Sequence, residues 1–288
     1  EFTGCCSVNS NPANLVNPVS SFLMLTETAD WYDTPLYYDI IFDQDTAKEA
    51  EFLEAVAVKH GGLKPGRKLR LLEPACGSGR LVAAMVERGH EVSGFDLNAN
   101  MLDYARKRLT KKQRATLWQD RLESFTAPTK QPFEFAHCLV STFKYVLEET
   151  GAVSHLQHVA AALEEGALYV LGVHLTDYTH ERAQHERWVA DRDGIQVVCN
   201  THSWPPDRKA RTEDIRTRLR ITREGRTWLQ ETRWQFRTYS AGEMKRLLNR
   251  VPELELVECY DFTYDITAPR AFDDSYEDIV LVLRKRGQ

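Results

Sequence analysis

Apolar positions along the chain change period several times. From Asp45 they fall at Ala50, Leu53, Val56 and Ala57, the three- and four-residue steps of a helix with one buried face. Asp45 can cap its start, and Gly61-Gly62 can end it. Pro65-Gly66 then marks a turn before a short strand over 69–72. The glycine-rich turn Cys76-Gly77-Ser78-Gly79 follows, and it leads into a predicted helix over 80–88 that Gly89 stops. Beyond it the pattern predicts a strand at 91–95, a helix at 98–109, strands at 115–119 and 133–141, a helix at 153–165 and a strand at 167–173. Strand and helix in such alternation predict a parallel sheet wrapped by helices on both faces.

The alternation breaks near Asp177. Residues 177–238 read as one helix, carrying His180 and His185, and several exposed strands. Ile215, Thr217, Leu219 and Ile221 alternate with Arg216, Arg218, Arg220 and Thr222, the period of a half-buried strand. Glu224-Gly225 stands where a two-residue hairpin turn belongs, which sets Arg218 opposite Glu231 and Ile221 opposite Trp228. Ser240 and Glu243 form a capping box ahead of a helix over 244–250, and strands over 254–260 and 278–283 close the chain. This divides the chain into a leader (1–23), an N-terminal segment and core (24–176), a β insertion (177–238) and a return to the core (239–288). Only Glu1 is charged in the leader, which has neither the basic start nor the apolar run of a signal peptide; Met24 is the expected natural start.

Charge and cysteine content narrow the function class. The balance of 42 acidic against 37 basic residues argues against a protein that coats nucleic acid. No apolar run approaches the roughly 18 residues of a membrane span. The six cysteines form no Cys-x-x-Cys pair and no zinc-like cluster with histidine, so no metal is expected, and reduced thiols in a cytoplasmic protein are.

The chemistry concentrates at 71–98. A strand delivers Glu73 to a turn in which Gly77 and Gly79 let backbone amides approach a ligand. One strand later, Asp96 stands at a carboxyl end beside that turn, where a carboxylate suits a ribose diol. Gly77 and Gly79 also open a dinucleotide fingerprint, but Val82 replaces its third glycine. By themselves these residues leave open a dinucleotide site, a nucleoside site and a tight turn with no ligand.

Four segments in order extend the pattern. Glu73-Pro-Ala-Cys-Gly-Ser-Gly, Gly94-Phe-Asp-Leu-Asn-Ala-Asn-Met-Leu, Trp118-Gln-Asp-Arg-Leu-Glu-Ser-Phe and the stretch from Phe133 to Tyr145 resemble the successive motifs of class I S-adenosylmethionine-dependent methyltransferases of the small-molecule type. The resemblance covers about 45–174 and resumes at 240–284. It implies an α/β fold, a doubly wound, mostly parallel seven-stranded Rossmann-like sheet with an antiparallel β lid insertion, and S-adenosylmethionine as cofactor, with S-adenosylhomocysteine as product. It also implies that Glu73 orients the methionine amino group and that the backbone of Gly77 and Gly79 passes the methionine and ribose. Asp96 would accept from the ribose hydroxyls, Leu97 and Met101 would pack on adenine, and Asp120 would accept from the adenine amine, with Arg121 or Leu122 supplying a backbone contact. Cys138 and Leu139 would end a strand beside the methionine, where their backbone carbonyls receive its ammonium. Ala75 departs from the family, which usually has glycine there. For Leu97 and Met101 ordinary helix-to-sheet packing is an equal reading, and Cys76 and Cys138 read as small buried fillers.

The acceptor side rests on fewer signals. The aromatic run from Trp31 to Tyr38 resembles a segment that folds over the cofactor, which makes Tyr32 and Tyr37 substrate candidates with Tyr145 and Trp188. Tyr38 and His174 are the catalytic candidates, His174 because it ends the fifth parallel strand and histidine as a residue type suits general-base work near neutral pH. Between Asp207 and Arg226 eight basic and four acidic residues form either an anion-binding face or a solvated face of ion pairs. The expected reaction is in-line transfer of a methyl group to N or O of a small polar molecule. Alternatives are a nucleic-acid methyltransferase, which lacks its Asn/Asp-Pro-Pro-aromatic signature here, and a non-catalytic binder of the nucleoside. Lid strands could also pair across a homodimer.

Overall fold

In a computed structural model of the chain, residues 26–109 and 115–287 are described, and the expected leader lies outside them. The first elements are β1 (Thr26–Thr28), a 3-10 turn at Trp31–Asp33, α1 (Pro35–Phe42) and α2 (Thr46–Lys59). Strand and helix then alternate through β2 (Arg70–Pro74), α3 (Arg80–Glu87), β3 (Glu91–Asp96), α4 (Ala99–Arg108), β4 (Ala115–Gln119), β5 (Phe133–Cys138), α5 (Glu149–Ala162) and β6 (Leu163–His174). Four strands follow in succession: β7 (Gln184–Arg192), β8 (Ile195–Ser203), β9 (Thr212–Arg223) and β10 (Arg226–Arg237). The chain closes with α6 (Ala241–Leu248), β11 (Leu254–Tyr260) and β12 (Asp278–Lys285).

The first sheet has seven strands in the order β11-β12-β6-β5-β2-β3-β4. β6, β5, β2, β3 and β4 are parallel, and β12 runs against both of its neighbours. From β2 the chain steps outward to β3 and β4, then returns to β5 on the other side of β2. Strand order therefore reverses between β2 and β5, and the carboxyl ends of those strands flank a crevice. Helices α2 and α3 cover one face through Leu53, Val56, Val82 and Met85. The opposite face is covered by α5 and α6 through Leu156, Val159, Met244 and Leu247. Phe95 and Phe135, fully enclosed in these layers, each contribute roughly 1.5–3 kcal/mol of burial.

The second sheet has the order β1-β10-β9-β8-β7. Its hairpin register sets Arg218 against Glu231 and Ile221 against Trp228, as the alternation predicts. Glu224 and Gly225 both take positive φ, 51° and 73°, at the turn. The inner face buries Val197, Cys199, Leu219 and Ile221 against Trp31, Ile40 and Ile41. The sheet thus shares a core with the N-terminal segment, and Trp31 stacks on Trp234 at 4.7 Å.

Two expectations need correction. No described residue between Asp177 and Thr238 is helical; His180 lies in a loop and His185 on β7. Asp193-Gly194, with φ of 53° and 75°, makes the tight turn that zips β7 onto β8 from Arg192↔Ile195 to Gln184↔Ser203. Asp-Gly is the sequence signal for that hairpin. Also, β6 begins at Leu163, inside the expected helix, because buried Leu163 pairs with Phe133; Gly166, at φ 78°, then absorbs the register shift to Phe135↔Leu168.

Candidate active site

At the crevice, β2 ends on Glu73-Pro74, and the chain turns through three residues with positive φ: Ala75 at 54°, Gly77 at 53° and Gly79 at 71°. At Gly77 a Cβ would meet nothing within 4 Å, so the backbone borders open space. At Gly79 a Cβ would come within 2.6 Å of the Ala105 Cβ, so only glycine lets α3 start this close to α4. Asp96, at the end of β3, accepts from the Gly77 amide at 2.9 Å and from the Asn98 amide at 2.8 Å. Burial raises its pKa, and those amides oppose the shift. Beside it Leu97 is 56% exposed, an apolar side chain left open at the crevice rim.

Glu73 has an unusual environment. It is buried, and its Oε2 has no hydrogen-bond partner, although such atoms normally have one. Burial pushes its pKa up to about 8, with Arg80 pulling the other way. His137 Nε2, 3.9 Å from Oε2, also lacks a partner, and burial lowers its pKa to about 3, which keeps the ring neutral. A buried carboxyl without a donor, beside a turn bordering open space, suits a ligand that brings an ammonium group. The donor set therefore fits the amino acid and ribose ends of S-adenosylmethionine.

The other expected contact residues have cover or partners of their own. Met101 is fully buried on α4 and presents no surface to a ligand. Asp120 accepts from the Arg121 amide at 2.8 Å, the Thr126 amide at 3.0 Å and Trp118 Nε1 at 3.3 Å. Its carboxylate shapes its own loop, and the exposed Arg121 side chain pairs with Glu123 at 3.3 Å. Cys138 ends β5, as expected, and its buried thiol, pushed up to about 12, is an inert neutral filler.

A cavity of about 1350 Å³ adjoins the crevice between the two sheets. Arg80, which follows Gly79, and residues from Val140 to Tyr145, which follow β5, line it, as do Trp188 and Trp234 of the second sheet. Tyr32 donates to the Tyr145 hydroxyl at 2.7 Å on its wall. Tyr38 also lines it, but burial raises its pKa well above 10, so it is a neutral phenol that donates rather than a base. His174 lies at the mouth with its Nδ1 bonded to Asp278. That bond holds Asp278 below the usual carboxylate range. Tyr37 points elsewhere and packs edge-on against Trp228 at 6.0 Å, so it is a framework residue.

Two charged residues were missed in the sequence. Asp39, fully buried on α1, accepts from Ser78 Oγ at 2.6 Å, Tyr104 at 3.2 Å and Arg192 at 2.8 Å, and it also pairs with Arg108. One carboxylate thereby joins the N-terminal helix, the glycine turn, α4 and β7. Lys144, buried in the 3-10 turn Thr142–Tyr145, faces the cavity from the end of β5. A charge inside an otherwise apolar run (Tyr38-Asp-Ile-Ile, Thr-Phe-Lys-Tyr145) was the available signal for both.

Comparison with known proteins finds likenesses to methyltransferases. Residues 71–166 match a methyltransferase domain. A putative methyltransferase of Bacillus subtilis, YqeM, is 25% identical over 107 residues, 37% of this chain and 43% of that protein, so the likeness spans less than half of the relative. An S-adenosylmethionine-dependent methyltransferase structure from Clostridium acetobutylicum superposes with a TM-score of 0.72 at 15% identity, covering 90% of this chain and all of that one. The sugar N-methyltransferase KedS8 from a Streptoalloteichus species superposes with a TM-score of 0.68 at 17% identity, covering all of this chain and 99% of its own. At these identities the structural likeness concerns the fold. No helix among the described residues is long and apolar enough to cross a membrane. Residues 71–166 thus carry a methyltransferase domain, and the sheet on which it is set has the fold seen in S-adenosylmethionine-dependent methyltransferase structures.

Proposed function

We propose that the chain methylates the amino nitrogen of a small polar acceptor of the amino-sugar kind. The observation that carries this reading is the cavity beside the crevice, walled by Tyr32, Tyr145 and Trp188 and by the carboxylates Glu186, Glu213 and Asp278. Aromatic faces and carboxylates together favour a polar, cationic guest. The likeness to a sugar N-methyltransferase points the same way.

S-adenosylmethionine, when bound, supplies a methyl group already activated on a sulfonium sulfur. What remains for the protein is alignment within about 3–3.5 Å and exclusion of water. Glu73 holds the methionine ammonium, and the backbone from Ala75 through Gly77 to Gly79 lets the ligand lie close. Asp96 accepts from the ribose, and Leu97 covers the adenine. Tyr32, Tyr38 and Tyr145 orient the acceptor with phenolic donors, while the second sheet roofs it.

A second reading, methylation of oxygen, is favoured by the His174–Asp278 pair, which leaves Nε2 as a base for a hydroxyl. Calorimetric titration with S-adenosylmethionine, S-adenosylhomocysteine and NADH tests the site. Binding of both adenosyl compounds and not NADH is expected, and failure of both to bind would remove the site assignment. Mass spectrometry of amino sugars against their hydroxyl counterparts then decides between nitrogen and oxygen. In the second sheet β7 lies at an end of the strand order and is the edge to which a second copy would add. Light scattering that finds only monomer would exclude that homodimer.

A further inference from the structure

Lys144 reaches its position through a strained backbone. After β5, Val140 and Ser141 take φ of 56° and 63°, left-handed values that non-glycine residues adopt at a cost. They turn the chain into the 3-10 turn, so that Lys144 projects into the cavity from the crevice end of the central strand. Its side chain is only 3% exposed. Nζ lies 3.7 Å from Glu213 Oε2, longer than a hydrogen bond, and 5.1 Å from the centre of the Phe236 ring.

We propose that Lys144 takes the proton that the acceptor nitrogen must release before methylation, with Glu213 holding the charged form that results. The inference rests on the amine reading above. An acceptor ammonium gives one proton to the neutral Nζ. Its freed lone pair forms the N–C bond to the methyl carbon as the C–S bond breaks, and that bond's electrons stay on the sulfur of S-adenosylhomocysteine. The methylated ammonium and the lysine ammonium together carry the charge that the substrate ammonium and the sulfonium brought.

The neighbours permit the neutral amine. Burial lowers the Lys144 pKa, and Glu213 on β9 opposes that shift, with weaker help from Glu277 and Asp278. Glu186 on β7 also faces the cavity, and Asp278 is already engaged by His174. Tyr32 and Tyr145 stay neutral, their phenols pushed up by burial. His174, the base expected from sequence, stands at the mouth with its side chain 40% exposed.

The test uses the full chain labelled with 13Cε-lysine and saturated with S-adenosylhomocysteine, with Lys144→Met to assign the signal. Lys144 is expected to titrate below the surface lysines, and Glu213→Gln is expected to move its titration lower still. A Lys144 that titrates with the surface lysines overturns the proposal. On an amino-sugar acceptor, Lys144→Met should lose about 100-fold in kcat/KM and the acid limb of its pH profile, with unchanged S-adenosylhomocysteine affinity. His174→Gln should keep that limb; loss of the limb in His174→Gln and not in Lys144→Met would also overturn it. Lys144→Met/Glu213→Gln removes both charges and serves if the single variant does not fold. A wild-type chain that methylates hydroxyls and no amines would instead remove the amine reading beneath the proposal.

Discussion

The crevice and the cavity lie side by side but are built in different ways. The crevice is made mainly of backbone: two short stretches, 73–79 and 94–98, supply its turn, its amides and both carboxylates. The cavity is made of side chains that come from the N-terminal segment, the end of β5, the second sheet and the approach to β12. A site built from consecutive residues must keep a local pattern, because glycine and an acid are needed at fixed offsets. A site assembled from distant segments needs only that their side chains meet, and many sequences satisfy that.

Asp39 is where the two regions are joined, so it offers the hardest test of the comparison. Replacing it with Ala leaves Arg108 and Arg192 without their buried partner and frees Ser78 and Tyr104. Removing one side of such a pair costs about 3–5 kcal/mol. Chemical denaturation of Asp39→Ala should show a single transition displaced by that amount. Two separated transitions, or a loss below about 1 kcal/mol, would mean that crevice and second sheet are independent units.

Asp96→Ala addresses the crevice alone. Losing a charge-assisted contact should weaken S-adenosylhomocysteine binding by roughly 1.5–3 kcal/mol, while the cavity is left intact. Calorimetry checks it, and an unchanged affinity in a folded variant would show that Asp96 does not touch the ribose.

The same contrast explains what could be read from the sequence. The seven-stranded sheet was legible because strand and helix alternate with one period each, and the glycine turn because its offsets are local. The β9–β10 hairpin register was legible from Glu224-Gly225 alone. β7 was misread because Gln184–Arg192 is rich in helix-tolerant residues, and only pairing with β8 makes it a strand. Met101 was left open because an apolar residue after Asp96-Leu-Asn fits ligand contact and core packing equally well, and burial decides for the core. The donors to Asp120 were not legible because no spacing reveals that its own loop supplies three of them. Lys144 and Asp39 were missed because their partners are distant in sequence.

Glu73 sharpens the comparison through pH. Its folded pKa, about 8, lies above its ordinary 4.5, so the native chain without ligand holds a proton that the unfolded chain releases. Its contribution to stability is fully present below pH 4.5 and is lost as pH rises through about 8. Glu73→Gln should flatten that decline in denaturation curves measured across the window. An ammonium on the ligand favours the carboxylate, so binding near pH 7 should release protons. The apparent enthalpy would then vary with the ionisation enthalpy of the buffer, and Glu73→Gln should abolish that dependence. Buffer-independent heats for the wild-type chain would show that Glu73 does not receive the ammonium.

Ala75 carries the smallest effect and tests whether backbone shape really governs the crevice. At φ 54° its Cβ costs energy that glycine would not pay, whereas glycine gives up conformational entropy in the unfolded chain. The two terms oppose, and at a left-handed position the strain exceeds the entropy, so Ala75→Gly should stabilise the chain by at most about 1 kcal/mol. Thermal denaturation without ligand measures it. The turn is already in place, so S-adenosylhomocysteine affinity should not change. Destabilisation by Ala75→Gly would mean that contacts of the methyl group hold the turn more firmly than backbone preference does, and the crevice would then resemble the cavity in depending on side-chain packing.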